Sequence, residues 1–157
     1  MWLMRTFWGN DWAATAQAAH RLIPERASLW AEEGWWFAYP EANFLSNTSL
    51  YTLSFLDDDG VVNESELVNY FATNHIEYIW LEEAQLTLPS LLEPPHFTVR
   101  EAVAKYCTEI GTVNGYFYFN YFNGATGPAP ARAYHCNFRS SNPLPQHNRA
   151  SRLSFGR

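Results

Sequence analysis

Apolar positions recur along this chain at two spacings, and the changes between them divide it into elements. Met1 to Trp8 is a short apolar run that reads as a strand. Asn10 or Asp11 then caps a helix through Arg21, on which Trp12, Ala16, Ala19 and Ile23 share one face. Pro24 suits the first position of a second short helix ending at Gly34, with Leu29 and Trp30 as its apolar contacts. Residues 35–48 are aromatic and irregular, and Tyr39-Pro40 argues against continuous helix. Ser49 to Phe55 alternates, with Tyr51, Leu53 and Phe55 opposite Thr52 and Ser54, which predicts a strand closed by the turn Asp57-Asp58-Asp59-Gly60.

Asn63 with Glu66 three residues on makes a capping box for a helix to Thr73 that buries Leu67, Val68 and Phe71. Ile76 to Leu81 and Gln85 to Leu88 read as strands, and Pro89, Pro94 and Pro95 interrupt regular structure after them. Thr98 with Glu101 is a second capping box. Val99, Ala102, Val103, Tyr106 and Ile110 then form a helical stripe ending at Gly111, with Glu101–Lys105 as an outer-face pair. Tyr116 to Phe122 and Ala131 to Arg139 form a hairpin around the Gly/Pro-rich loop 123–130. The aromatics of Tyr116–Phe122 lie on both faces, as in a covered central strand or a strand with one face at an interface.

This order of elements predicts an α+β fold in a single domain over residues 1–139: a mainly antiparallel sheet with three to four helices packed mostly on one face. Residues 140–157 read as a basic, loosely ordered C-terminal tail. The length, 157 residues and 18.1 kDa, agrees with one core. With 47% apolar and 17% charged residues the chain is neither a disordered tail nor a charged rod. No apolar run approaches the roughly 18–20 residues that span a bilayer, so no membrane association is expected. The start lacks the basic and apolar regions of a signal peptide, and two cysteines do not make a disulfide framework, so the expected setting is a reducing cytoplasm.

Charge becomes informative once it is located. All 16 acidic residues fall between Asp11 and Glu109, where residues 1–110 carry five basic ones, a net of −11. Residues 111–157 hold no acid and five arginines, a net of +5. An acidic body repels nucleic acid and speeds encounter with a basic protein. Spaced arginines without aromatic platforms give little reason to expect direct nucleic-acid binding.

The local motifs point away from catalysis and cofactors. An EF-hand register on Gly60 would put Asp57, Asp59 and Glu66 at ligand positions but Phe55 at the first, which cannot ligate, so no metal is expected there. His96-Phe97-Thr98 is half of a two-histidine phosphoesterase signature, and no second half exists; Thr98 is better spent as a cap. Cys107 lies on the buried helical stripe beside Val103 and reads as inert core. Cys136 and His135 point to opposite faces of a strand. Zinc-ligand spacings, a phosphate-binding glycine loop and a nucleophile elbow are all missing.

Phe7-Trp8-Gly9-Asn10-Asp11, running into a helix with Ala19 and Arg21 and then Trp30 and Gly34, resembles the opening of a bacterial toxin-immunity family, immunity protein 52. The resemblance covers residues 7–34; the family's basic residue after Trp-Gly is replaced here by Asn10 and Asp11. It implies an intracellular inhibitor that neutralises a cognate toxin, often a nuclease, by direct binding. The charge layout leads independently to the same class of partner, a protein with a basic surface, whether a toxin or a host defence protein. The expected contacts are Asp57, Asp58, Asp59, Glu82 and Glu83, with Trp35 and Trp36 as aromatic anchors. A phage anti-defence inhibitor, a structural subunit of a virion or larger complex, and a small enzyme without a local motif are the alternatives.

Overall fold

The computed structural model describes residues 12–56, 60–82, 97–116 and 128–138. In chain order these form α1 (Trp12–His20), β1 (Ser28–Ala31), a 3-10 turn (Glu33–Phe37), β2 (Asn43–Ser46), α2 (Ser49–Leu56), α3 (Glu64–Thr73), β3 (Tyr78–Glu82), α4 (Val99–Tyr106), β4 (Cys107–Tyr116) and β5 (Pro128–Cys136). The strands make one mixed sheet in the order β2-β1-β3-β5-β4. β1 runs parallel to β2 and β3, while β5 runs antiparallel to β3 and β4. The antiparallel ladders are the longer ones, so the α+β domain is mainly antiparallel.

Side-chain alternation divides the core between the two faces of this sheet. Trp30, Ile79 and Leu81 meet Leu50 of α2, Leu67, Val68 and Phe71 of α3, and Val99, Ala102 and Val103 of α4. Leu29, Ala31, Trp80 and Ala133 meet Ala19 of α1, Ile23, Trp35 and Tyr39. Three of the four α-helices described therefore cover one face.

Both capping boxes are formed. Asn63 Oδ1 accepts from the Glu66 N–H at 3.1 Å while Glu66 Oε2 accepts from the Asn63 N–H at 2.8 Å. Thr98 and Glu101 make the same exchange. Asn63→Ala is expected to cost about 1 kcal/mol, seen as a lower urea midpoint at unchanged m-value. Lys105 does not take the Glu101 partner expected on its own helix; it reaches across to Glu64 of α3, as does the Tyr106 hydroxyl.

Several expected elements are corrected. Residues 28–31 form a strand rather than part of a helix from Pro24. Leu29, Trp30 and Ala31 are all buried, because a strand with parallel neighbours on each side and both faces covered needs a continuous apolar run. Residues 49–56 are helical, not extended; a short apolar run fits both periods, and Leu50 and Leu53 at helical spacing reach the core. α4 stops at Tyr106 and the chain extends at Cys107, so the first hairpin strand begins earlier than expected. Gly111 is no helix stop; a Cβ there would lie 2.7 Å from Leu22 Cδ2, so glycine lets the turn after α1 pack on β4.

Cys107 is not an inert thiol: it is bonded to Cys136, and among the described residues no cysteine is free. The two face each other across β4 and β5. The Asn137 N–H donates to Tyr106 O at 3.0 Å just outside them, which makes them a non-hydrogen-bonded pair, where opposed side chains lie closest. The expected strands at Met1–Trp8 and Gln85–Leu88, the aromatic segment 117–122 and the tail 140–157 lie outside the described residues.

Candidate functional site

β1 and β3 are parallel neighbours whose onward connections part, β1 leading to β2 on one side and β3 to β4 and β5 on the other. In open sheets the carboxyl ends of two such strands are where side chains from diverging loops converge. Here the 3-10 turn Glu33–Phe37 follows β1, and Glu82 is the last residue of β3.

A 3-10 turn repeats every three residues, so side chains three apart stack on one side. Glu32 and Trp35 take the inner side. Trp35 is 1% exposed, its ring 4.4 Å from that of Trp80, and its indole N–H donates to Glu82 Oε1 at 2.9 Å. Glu32 accepts from the Gly34 N–H at 2.9 Å and closes the turn's start. The turn's end is held by α1: His20 Nε2 donates to Ala38 O at 2.7 Å, and the His20 and Tyr39 rings meet edge-on at 4.7 Å.

Glu33 and Trp36 take the outer side. Trp36 is 52% exposed and Phe37 51%, with ring centroids 5.4 Å apart. Glu33 Oε1 accepts from the Thr48 hydroxyl at 2.6 Å and from Ser46 Oγ at 3.4 Å, both supplied by the end of β2 and the turn after it.

The inner carboxyls are electrostatically perturbed. Burial pushes Glu82 up to about 8, against the opposing pull of the Trp35 N–H and with the help of the Glu32 charge. Burial also raises Glu32; the Gly34 N–H opposes this and the Glu33 charge adds to it. Glu82 is thus a neutral acid through most of the physiological range, serving as a buried acceptor for Trp35.

The expected contacts divide accordingly. Glu82, 2% exposed, and Trp35 are inside, and as surface contacts for a partner they are corrected. The strand's last residue turns inward beneath Trp35 rather than out at the sheet edge. Trp36 is on the surface where an anchor is needed. Asp57, Asp58, Asp59 and Glu83 lie outside the described residues. The outer set of Glu33, Thr48 and Phe37 was missed; its sequence signal is the three-residue spacing Glu33–Trp36 around Gly34, which straddles the expected helix end at Gly34 and the irregular stretch 35–48.

Among the described residues no three His, Cys, Asp or Glu side chains gather as a metal site requires, and no helix is long and apolar enough to cross a membrane. Outward, the turn offers a fixed carboxylate beside two aromatic rings, which suits recognition of a cationic, partly apolar surface. Comparison of the chain with protein-family models, with curated proteins and with solved structures gave no match.

Proposed function

We propose that the protein is an acidic binding module that captures a protein with a basic surface, using the Trp36–Phe37 turn as its anchor, and that it acts as an inhibitor of that protein. In its most specific form this is an immunity protein blocking a cognate toxin, a nuclease being the apt case because such a toxin carries a basic surface for its own substrate. A host defence protein is the alternative target of the same surface.

The observation that carries the reading is the pair of adjacent, half-exposed aromatic side chains on a turn whose neighbouring tryptophan is locked in the core. Large aromatic groups held rigidly at a surface lose little freedom on binding, and truncated anchors of this kind cost about 2 kcal/mol or more. The net charge of −6 supports a basic partner. Asp57, Asp58, Asp59 and Glu83 extend the proposed acidic surface on the strength of the sequence alone. We place the encounter in the cytoplasm. The Cys107–Cys136 bond makes an oxidising compartment the competing setting, which thiol trapping at lysis distinguishes.

The test is capture on the immobilised full chain from lysate of the source organism at low and high salt, wild type beside Trp36→Ala, with mass spectrometry of the retained proteins. One stoichiometric basic protein, weakened by salt and held about 30-fold less tightly by Trp36→Ala, is the expected result. Addition of the chain should then suppress that protein's activity. Equal capture by Trp36→Ala, or retention of nothing but further copies of the chain, overturns the reading.

A further inference from the structure

Glu33 differs from the carboxylates that pair with a lysine or arginine in who holds it. Glu41 pairs with Arg26, Glu64 with Lys105 and Glu109 with Arg132, each an acid satisfied by a cation of the same chain. Glu33 is held instead by two neutral hydroxyls, Thr48 and Ser46, both on Oε1. Among the described residues no cation is placed against it, and none donates a hydrogen bond to its Oε2. The carboxylate is therefore oriented by neutral groups, with Oε2 left open among the described residues. Three residues on, and so on the same side of the 3-10 turn, stands Trp36 with half its surface exposed and Phe37 beside it.

An oriented carboxylate beside an accessible indole face is complementary to one kind of side chain above others. A guanidinium is flat, weakly hydrated and always charged; it can lie on an indole ring while one edge donates to a carboxylate. A lysine ammonium can satisfy either element but lacks the plane that satisfies both. Resting on the docking function proposed above, we infer that Glu33 and Trp36 form a receptor for a single arginine side chain of the basic partner. Trp36 supplies the stacking face, Glu33 Oε2 accepts the guanidinium N–H, Phe37 borders the ring, and Thr48, whose hydroxyl meets both Glu33 and Ser46 Oγ, is a positioning residue that acts through Glu33. The anchor then reads chemistry as well as apolar area: it favours partners that present an arginine at the centre of a basic patch.

The experiment is NMR on the uniformly 15N-labelled full chain, following the Trp36 indole N–H, identified by its disappearance in Trp36→Phe. The probes are the blocked peptide acetyl-Gly-Arg-Gly-amide and its lysine and citrulline counterparts, at matched concentration and low salt. The arginine peptide is expected to shift the Trp36 signal saturably, with the lysine peptide several-fold weaker. Citrulline, equally flat but uncharged, should be without effect. Glu33→Gln should weaken the arginine peptide by about three- to fivefold with the rest of the spectrum unchanged. Thr48→Val should weaken it less, and only by loosening the carboxylate.

Equal shifts from arginine and citrulline, or an unaltered titration in Glu33→Gln, overturn the inference. The two proposals fail separately. Loss of arginine preference while Trp36→Ala still abolishes capture of the basic protein removes the arginine receptor and leaves the docking surface. Undiminished capture by Trp36→Ala removes the docking surface whatever the peptides do.

Discussion

Glu82→Gln is expected to abolish most of the fall in stability that the wild-type chain shows between pH 5 and pH 8. The buried carboxyl of Glu82 holds its proton up to about pH 8, whereas in the unfolded chain it loses it near the ordinary value of 4.5. Between those limits the folded state binds one proton more than the unfolded state. Stability therefore decreases as pH rises, by at most about 1.4 kcal/mol per pH unit for this one proton, and levels off once the folded carboxyl has also ionised. Burial of Glu32 shifts it in the same direction and steepens the acid part of the slope. Glutamine keeps an acceptor oxygen for the Trp35 N–H and never acquires the charge. The variant should match the wild type near pH 5 and exceed it by a few kcal/mol at pH 8, a melting-temperature difference on the order of 10 °C for a domain of this size.

The contribution of Glu82 can be separated from other titrations by its sign. Glu64, held by Lys105 and Tyr106, and Glu101, held by the Thr98 backbone and hydroxyl, are shifted downward. Their stabilisation is present above the ordinary carboxylate value and is lost as pH falls, so they act on the acid limb alone. A wild-type stability that is flat from pH 5 to 8, or a Glu82→Gln chain with the same slope, would show that the carboxyl is hydrated in solution and does not belong to the core.

The sequence was most legible where a local interaction decides the structure. Asn63–Glu66 and Thr98–Glu101 are satisfied within three residues, and the buried set Leu67, Val68 and Phe71 follows from the helical period those caps begin. It was least legible where burial is decided by distant segments. β1 is apolar because it lies between two parallel strands under two layers, and nothing within its four residues distinguishes that from a helix. Cys107 falls on a helical stripe with Val103, yet the hairpin claims it as the first residue of β4.

The candidate site was half visible for the same reason. Trp35 and Trp36 stood out by type, but their opposite fates depend on a three-residue period and on Glu82, 47 positions away. A charged residue after an apolar strand reads as solvated until its partner is known. Glu33 lacked any chemical signature of its own; its role comes from Thr48 and Ser46, brought beside it by β2 pairing with β1.

Reduction of the Cys107–Cys136 bond should lower the stability of the domain by about 3 kcal/mol, visible as a fall in melting temperature of roughly 10 °C. The bond spans 29 positions and closes the hairpin of β4 and β5 at its open end. It thus confines the unfolded chain by about the loop entropy of that length. The urea m-value should rise on reduction, because the unlinked unfolded chain exposes more surface. An unchanged midpoint would mean that the ladder and the packing of Phe138 on Phe71 hold the hairpin without the bond. The position of the bond adds a sharper requirement. Cys136 lies beyond His135, which pairs with Tyr78 at the start of β3, whereas Glu82 pairs with Ala131 at its end. The disulfide and the buried carboxyl are therefore at opposite ends of the strands, roughly 15 Å apart along β3. At that separation their effects should add: reduction should displace the whole pH profile downward with its slope intact, and the reduced Glu82→Gln chain should keep only the shallow acid-side fall that Glu32 leaves.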